Sequence, residues 1–238
     1  MKFFFDGLDR AIHLLTHPDD ALLQVLKVTL QVAVWSTLLA LVIGLPLGLL
    51  LGLETFRGRR AGLAAANAGL GFPPVFVGIV LALLFFRGAP LGGLHLIYTV
   101  KGIIVAQTIL ALPIVIAFTA AAVHAVPSGL FDQARALGAS RLRVWALALR
   151  EARVGVFAAA IGALGSALAE VGAVVLVGGN IFDSTQTLSS ALLEQVNAGN
   201  YGRAMALGII LMGLIIVIVA VLTIAQQRGA RAAVGRAS

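Results

Sequence analysis

The sequence predicts an all-α, polytopic membrane protein, and three observations carry that expectation. Hydrophobic residues make up 60% of the 238 positions and charged residues only 11%, against roughly 25% charge in a typical soluble domain. The few charges bracket five long apolar intervals, each able to supply the roughly 20 residues that cross a bilayer as a helix. None of these intervals alternates with a period of two, which excludes the strands of a membrane barrel. The same composition, with no cysteine, excludes a disordered chain and a disulfide scaffold. The net charge of +7 reads as loop charge that orients a membrane chain rather than as a nucleic-acid surface.

At the start of the chain, residues 1–24 carry Phe3, Phe4, Phe5, Leu8, Ile12, Leu14 and Leu15 at roughly helical spacing among Asp6, Asp9 and Arg10. This predicts an amphipathic helix lying on the outer membrane face. It is not expected to be a secretory signal, because the apolar run begins only after Lys27 and has no cleavage site after a short core. His13 and His17, near Asp19 and Asp20, have spacing that could hold a metal, but read more simply as a solvated face.

The membrane domain then runs over 25–227, with spans expected at about 28–53, 71–86, 102–124, 154–178 and 204–227. Pro46, Pro73-Pro74 and Pro113 fall inside these intervals, which membrane helices tolerate when neighbours or water satisfy the freed carbonyls. Pro73-Pro74 places 61–70 at the interface and starts the second crossing near Gly71. A basic tail, 228–238, follows the last span. No internal repeat is evident, so an inverted-repeat secondary transporter, or a channel, is the weaker reading.

Lys and Arg in the short loops set the orientation. Eleven fall on one side, in the loops holding Arg57–Arg60 and Arg135–Arg153 and in the tail, and six on the other. The N-terminus is therefore expected outside and the C-terminus in the cytoplasm.

Two regions break the apolar monotony. The loop 127–153 reads PSGLFDQARALGASRLRVWALALREAR. Pro127 stops the third span, Ser128 is placed to cap a new helix, and Leu130, Ala134 and Leu137 fall on one stripe before Gly138 ends the turn. A second basic helix comes next. On physics alone this hairpin serves either as a lipid anchor or as a docking element. The second region begins at Glu170, the one charge well inside a span. Such an acid is costly unless it faces protein or water, and it serves either as a functional group or as a packing lock. Gly178, Gly179 and Asn180 follow, then Ser184, Thr185, Gln186 and Thr187: neutral donors, with Thr187 also placed to cap a helix from Leu188.

The sequence resembles the permeases of ABC importers. Asp132-Gln133-Ala134, three residues and Gly138 match their cytoplasmic EAA-type loop, with Asp for Glu, Gln for Ala, and Arg150-Glu151 where Leu-Pro is usual. By that resemblance, Pro127 to Ser140 is the coupling helix, and Leu130, Phe131, Asp132, Gln133, Ala134, Leu137, Gly138, Ala139 and Ser140 meet the ATPase. Within the group, Glu170-Val171-Gly172-Ala173, Gly179-Asn180-Ile181 and Thr185-Gln186-Thr187-Leu188 are similar to the oxyanion permeases. ALAEVGAVVLVGGNI, GFPPVFVGIVLALL and RGAPLGGLHLIYT look most like the tungstate type, with molybdate and sulfate permeases related.

The resemblance implies a type I importer arrangement in a bacterial inner membrane, with translocation lined or gated by Ser166, Glu170, Gly178, Gly179, Asn180, Thr185 and Thr187. It implies two cytoplasmic ATPase subunits and an outer substrate-binding protein. No G-x-x-x-x-G-K-[ST] motif occurs, so ATP and Mg are expected on the partner ATPase and no cofactor or metal on this chain. Five spans are too few to enclose a conduit, which favours a homodimer. An intramembrane serine protease would need Ser166 and His124 as its pair, but a small packing residue explains Ser166 and the chain is expected to be non-catalytic.

Overall fold

The computed structural model describes residues 2–234 and the side chains of Phe5, 7–224, Gln226 and Gln227. Phe3, Phe4, the cations of the tail and residues 235–238 therefore lie outside the described set. Every regular element among the described residues is helical. In order they are α1 (Lys2–Thr16), α2 (Asp20–Leu53), α3 (Arg59–Gly69), α4 (Pro74–Phe85), α5 (Val100–His124) and α6 (Ser128–Ala136). Then come α7 (Arg141–Glu151), α8 (Arg153–Ala169), α9 (Gly172–Gly178), α10 (Leu188–Asn197) and α11 (Tyr201–Val234).

Among the described residues, three helices are long and apolar enough to cross a membrane: α2, α5 and Tyr201–Ile224 of α11. The pairs α3–α4 and α7–α8 pass the same test only together and are bent by 101° and 74°, so the count is three, or up to five. The first bend has a local cause. Pro73 precedes the helix with extended backbone (φ −64°, ψ 116°) and Pro74 opens it, where a missing N–H costs nothing.

The interval 154–178 departs from a single continuous helix. Helix α8 ends at Ala169, Glu170 and Val171 leave the helix, and α9 resumes at Gly172. The Glu170 carboxylate accepts the Ala173 N–H at 3.0 Å, and Ser189 Oγ donates to the Glu170 carbonyl at 2.8 Å. The acid thus satisfies a backbone break instead of standing on an unbroken helix. Ser128 likewise does not cap α6. Pro127 holds the cap position with no side-chain bond, and Ser128 is already helical.

The chain forms two compact units: 1–36 with 72–108 and 164–218, and 37–71 with 109–163 and 219–238. In the first, Ala11 of α1 is buried with Leu22, Val25, Leu188, Ala206 and Ile210. One face of α1 is therefore docked on protein, while Leu8, Ile12 and Leu15 remain exposed. A second core joins Leu81, Phe85, Ala106 and Val177. Here α4 and α9 approach closely, because a methyl added at Gly78 would stand 2.7 Å from Ala173 Cα.

In the second unit, α2 and α5 run parallel along a glycine seam. Gly44, Gly48 and Gly52 recur every fourth residue and face Val115, Thr119 and Val123. In lipid there is little hydrophobic drive between helices, so close backbone approach and dispersion hold such a contact. Leu49, Val123, Phe131, Val144 and Ala148 extend this core into the loop 127–153.

Candidate functional site

Two side-chain constellations carry the candidate residues, one in each unit. In the second unit the loop 127–153 folds as α6, a glycine turn and α7. Gly138 has φ +81°, a left-handed conformation that favours glycine. Ala139 N–H bonds Ala134 O (3.0 Å) and Gly138 N–H bonds Arg135 O (2.9 Å), the two bonds of a Schellman ending.

The hairpin is fastened to the end of α2. Glu54 accepts Arg141 Nε at 3.1 Å and Trp145 Nε1 at 3.3 Å, with the Arg141 guanidinium 5.1 Å from the Trp145 ring centroid. Phe131 is buried and anchors α6 from below. Leu130, Asp132, Gln133 and Ser140 are exposed, Ala134 and Ala139 half-buried. Leu137 is 89% exposed and Leu142 78%. Two such exposed leucines on a hairpin whose other face is pinned form a rigid, unpartnered apolar knob.

In the first unit the residues after Glu170 form a tight loop. Gly179 (φ +74°) and Asn180 (φ +48°) are both left-handed. Thr185 Oγ1 donates to the Gly178 carbonyl at 2.6 Å and accepts the Ile181 N–H at 2.9 Å. Thr187 is the N-cap of α10, completing a reciprocal capping box with Ser190. Asn180 Nδ2 donates to Glu194 Oε2 at 2.8 Å, and Gln186 Nε2 donates to the same oxygen.

The hydroxyls of Thr185 and Thr187 are therefore buried and engaged, and the Asn180 amide donor is held by a carboxylate. Ser166 and Gly179 are exposed, and Glu170 is half-buried. The structure brings Gly178, Gly179, Asn180, Thr185 and Thr187 together. Ser166 is tied to Glu170 only through the Glu170 N–H to Ser166 O bond of 3.1 Å. Among the described residues, no group of three His, Asp or Glu side chains is placed to hold a metal ion.

Glu194 and Thr29 are partners of this loop that no local sequence signal announces. Thr29 Oγ1 accepts the Leu188 N–H at 2.8 Å across 159 positions of sequence. The helix-start signal at Thr187 is local, and it predicts a modest effect. Thr187→Ala should lower stability by about 1 kcal/mol, read as a small drop in the melting temperature of the purified protein.

A protein family described as "binding-protein-dependent transport system inner membrane component" matches residues 44–231. The chain belongs to that family. This permease is 38% identical over 200 residues to a probable anion ABC transporter permease of Haloferax volcanii, covering 82% of this chain and 86% of the relative. It is 30% identical over 227 residues to a tungstate uptake system permease of Peptoclostridium acidaminophilum, covering 95% and 100%. Its fold matches a chain of the inward-facing MetNI methionine ABC transporter with a TM-score of 0.69 at 24% identity, over 89% of this permease and 95% of that chain. The helical fold is that of the type I ABC importer permeases, and the family to which the permease belongs is one of inner-membrane components.

Proposed function

We propose that this permease carries a tetrahedral oxyanion, tungstate first, across the membrane as a homodimer driven by two cytoplasmic ATPase subunits. An outer binding protein delivers the anion, and molybdate and sulfate are the related cargoes. The observation that carries the cargo is the similarity to an anion permease and to a tungstate uptake permease along most of the chain. The Lys and Arg bias of the loops supports an outer N-terminus and a cytoplasmic C-terminus.

The exposed knob at Leu137 and Leu142 supports docking of the ATPase, with α6 as coupling helix. Closure of the ATPase pair on ATP then rocks the helical bundles between inward- and outward-facing states. A dianion that only accepts hydrogen bonds is passed by neutral donors and must not be held tightly. Ser166 is exposed to meet it, whereas Gly179, whose N–H is held by the Val175 carbonyl, frames the path together with Glu170, Gly178, Asn180, Thr185 and Thr187.

The test is uptake into proteoliposomes containing permease, ATPase and binding protein, with the metal counted by mass spectrometry. Tungstate should accumulate only with ATP and the binding protein, and molybdate should compete better than sulfate. Uptake driven by an ion gradient without ATP would overturn the importer reading. Accumulation of amino acids but of no oxyanion would overturn the cargo.

A further inference from the structure

Helix α3 carries a feature that lies apart from the residues assigned above to the proposed path. It begins with Arg59 and packs along α5 in the opposite direction. A methyl added at Gly69 would stand 2.6 Å from Pro113 Cγ, while Arg59 and His124 share one cleft at the other end. The cleft holds about 290 Å³ and lies wholly within the second unit. Its polar groups are Arg59, His124 and Asn67, and its walls are aliphatic, including Leu63, Ala117 and Ala121.

The lining of this cleft includes no acid among the described residues, and a second cleft that Arg59 and His124 also line includes Asp132 together with Arg135. Arg59 is held in place, since its Nε donates to Leu51 O at 2.7 Å and one Nη to Gly52 O at 3.4 Å. That leaves the other Nη directed away from those bonds, on a guanidinium whose orientation is already fixed. Arg57 and Arg60 flank it, and residues 55–69 contain no carboxylate.

A cationic end joined to an apolar wall of small residues has the shape and polarity of an amphiphile, not of a free ion. A free oxyanion would use the polar end and leave the aliphatic wall unfilled. In a chain that spans a bilayer, the amphiphile at hand is phospholipid. We infer that the α3–α5 cleft binds an anionic phospholipid, its phosphate on Arg59 and His124 and an acyl chain along Leu63, Ala117 and Ala121. The net positive charge of the flanking segment favours a headgroup without a choline cation.

The test uses the full chain purified in its transporter complex and stripped of lipid. Phosphatidylglycerol, phosphatidylcholine and inorganic phosphate are added separately, and retained ligand is counted by native mass spectrometry. Phosphatidylglycerol should be retained in preference to phosphatidylcholine. His124→Ala, which removes an exposed donor, should weaken retention about fivefold, the equivalent of one net hydrogen bond. Ala121→Trp keeps every charge and fills the wall from an exposed position, so it should abolish retention while the melting temperature stays unchanged. Equal retention of the two lipids, or wild-type retention in either variant, would overturn the site. Displacement of phosphatidylglycerol by equimolar inorganic phosphate would overturn the lipid as its occupant. Each of these results is independent of which anion the permease carries.

Discussion

Gly48→Leu should strongly destabilise the contact between α2 and α5. A Cβ at Gly48 would stand 2.6 Å from Thr119 Cβ, 2.9 Å from Thr119 Cγ2 and 3.1 Å from the Ile116 carbonyl. The first two belong to a buried β-branched side chain with little rotamer freedom, and the third is helical backbone. Relief therefore requires α2 and α5 to separate, which opens the whole seam from Gly44 to Gly52. Overpacking of this kind costs about 1–3 kcal/mol and sometimes more. The seam also carries Leu49 and Val123, which support Phe131 of α6, so the damage reaches the hairpin.

Thermal denaturation of the purified complex should show a melting temperature several degrees lower, with reduced recovery from the membrane. Gly213→Leu on α11 is the control, since nothing lies within 4 Å of a Cβ there. Equal melting temperatures for the two variants would show that the seam does not hold the helices.

The contrast between these glycines marks how far the sequence could be read. Helical class comes from segregation of charge, which is a local property of each interval. The glycine spacing Gly44-x-x-x-Gly48-x-x-x-Gly52 is also local, but its partner face on α5 lies about 70 positions away, and composition does not name it. The same limit governs the donor-rich loop. A run of Asn and Thr after two glycines reads as a set of free donors when only neighbours in sequence are considered. Folding supplies the acceptors: Gly178 O for Thr185, and Glu194 for Asn180 and Gln186. Buried polar groups are nearly always satisfied, so a donor-rich segment in an apolar chain is as much a promise of internal bonds as of a ligand. Glu170 obeys the same logic. Its cost inside a span is real, and the chain answers it by breaking the helix so that the carboxylate binds the Ala173 N–H in the first turn of α9.

The hairpin offers the opposite case, because its leucines at 137 and 142 are left outside the core. Leu137 is 89% exposed beside a glycine turn that fixes its direction. Replacing it leaves the core untouched, and surface changes of that kind usually fall within about 0.5 kcal/mol. Leu137→Asp should thus leave the melting temperature of the isolated permease unchanged. If the knob seats in the ATPase, burying it on docking makes it an anchor, and losing such an anchor costs about 2 kcal/mol or more. Recovery of ATPase with the tagged permease should then fall roughly 30-fold, and ATP-driven uptake with it. Gly138→Val separates fold from contact, because it keeps Leu137 but forces a β-branched residue to φ +81°. It should lower both the melting temperature and ATPase recovery, whereas Leu137→Asp lowers recovery alone. Undiminished ATPase recovery with Leu137→Asp would move the docking surface elsewhere on the permease.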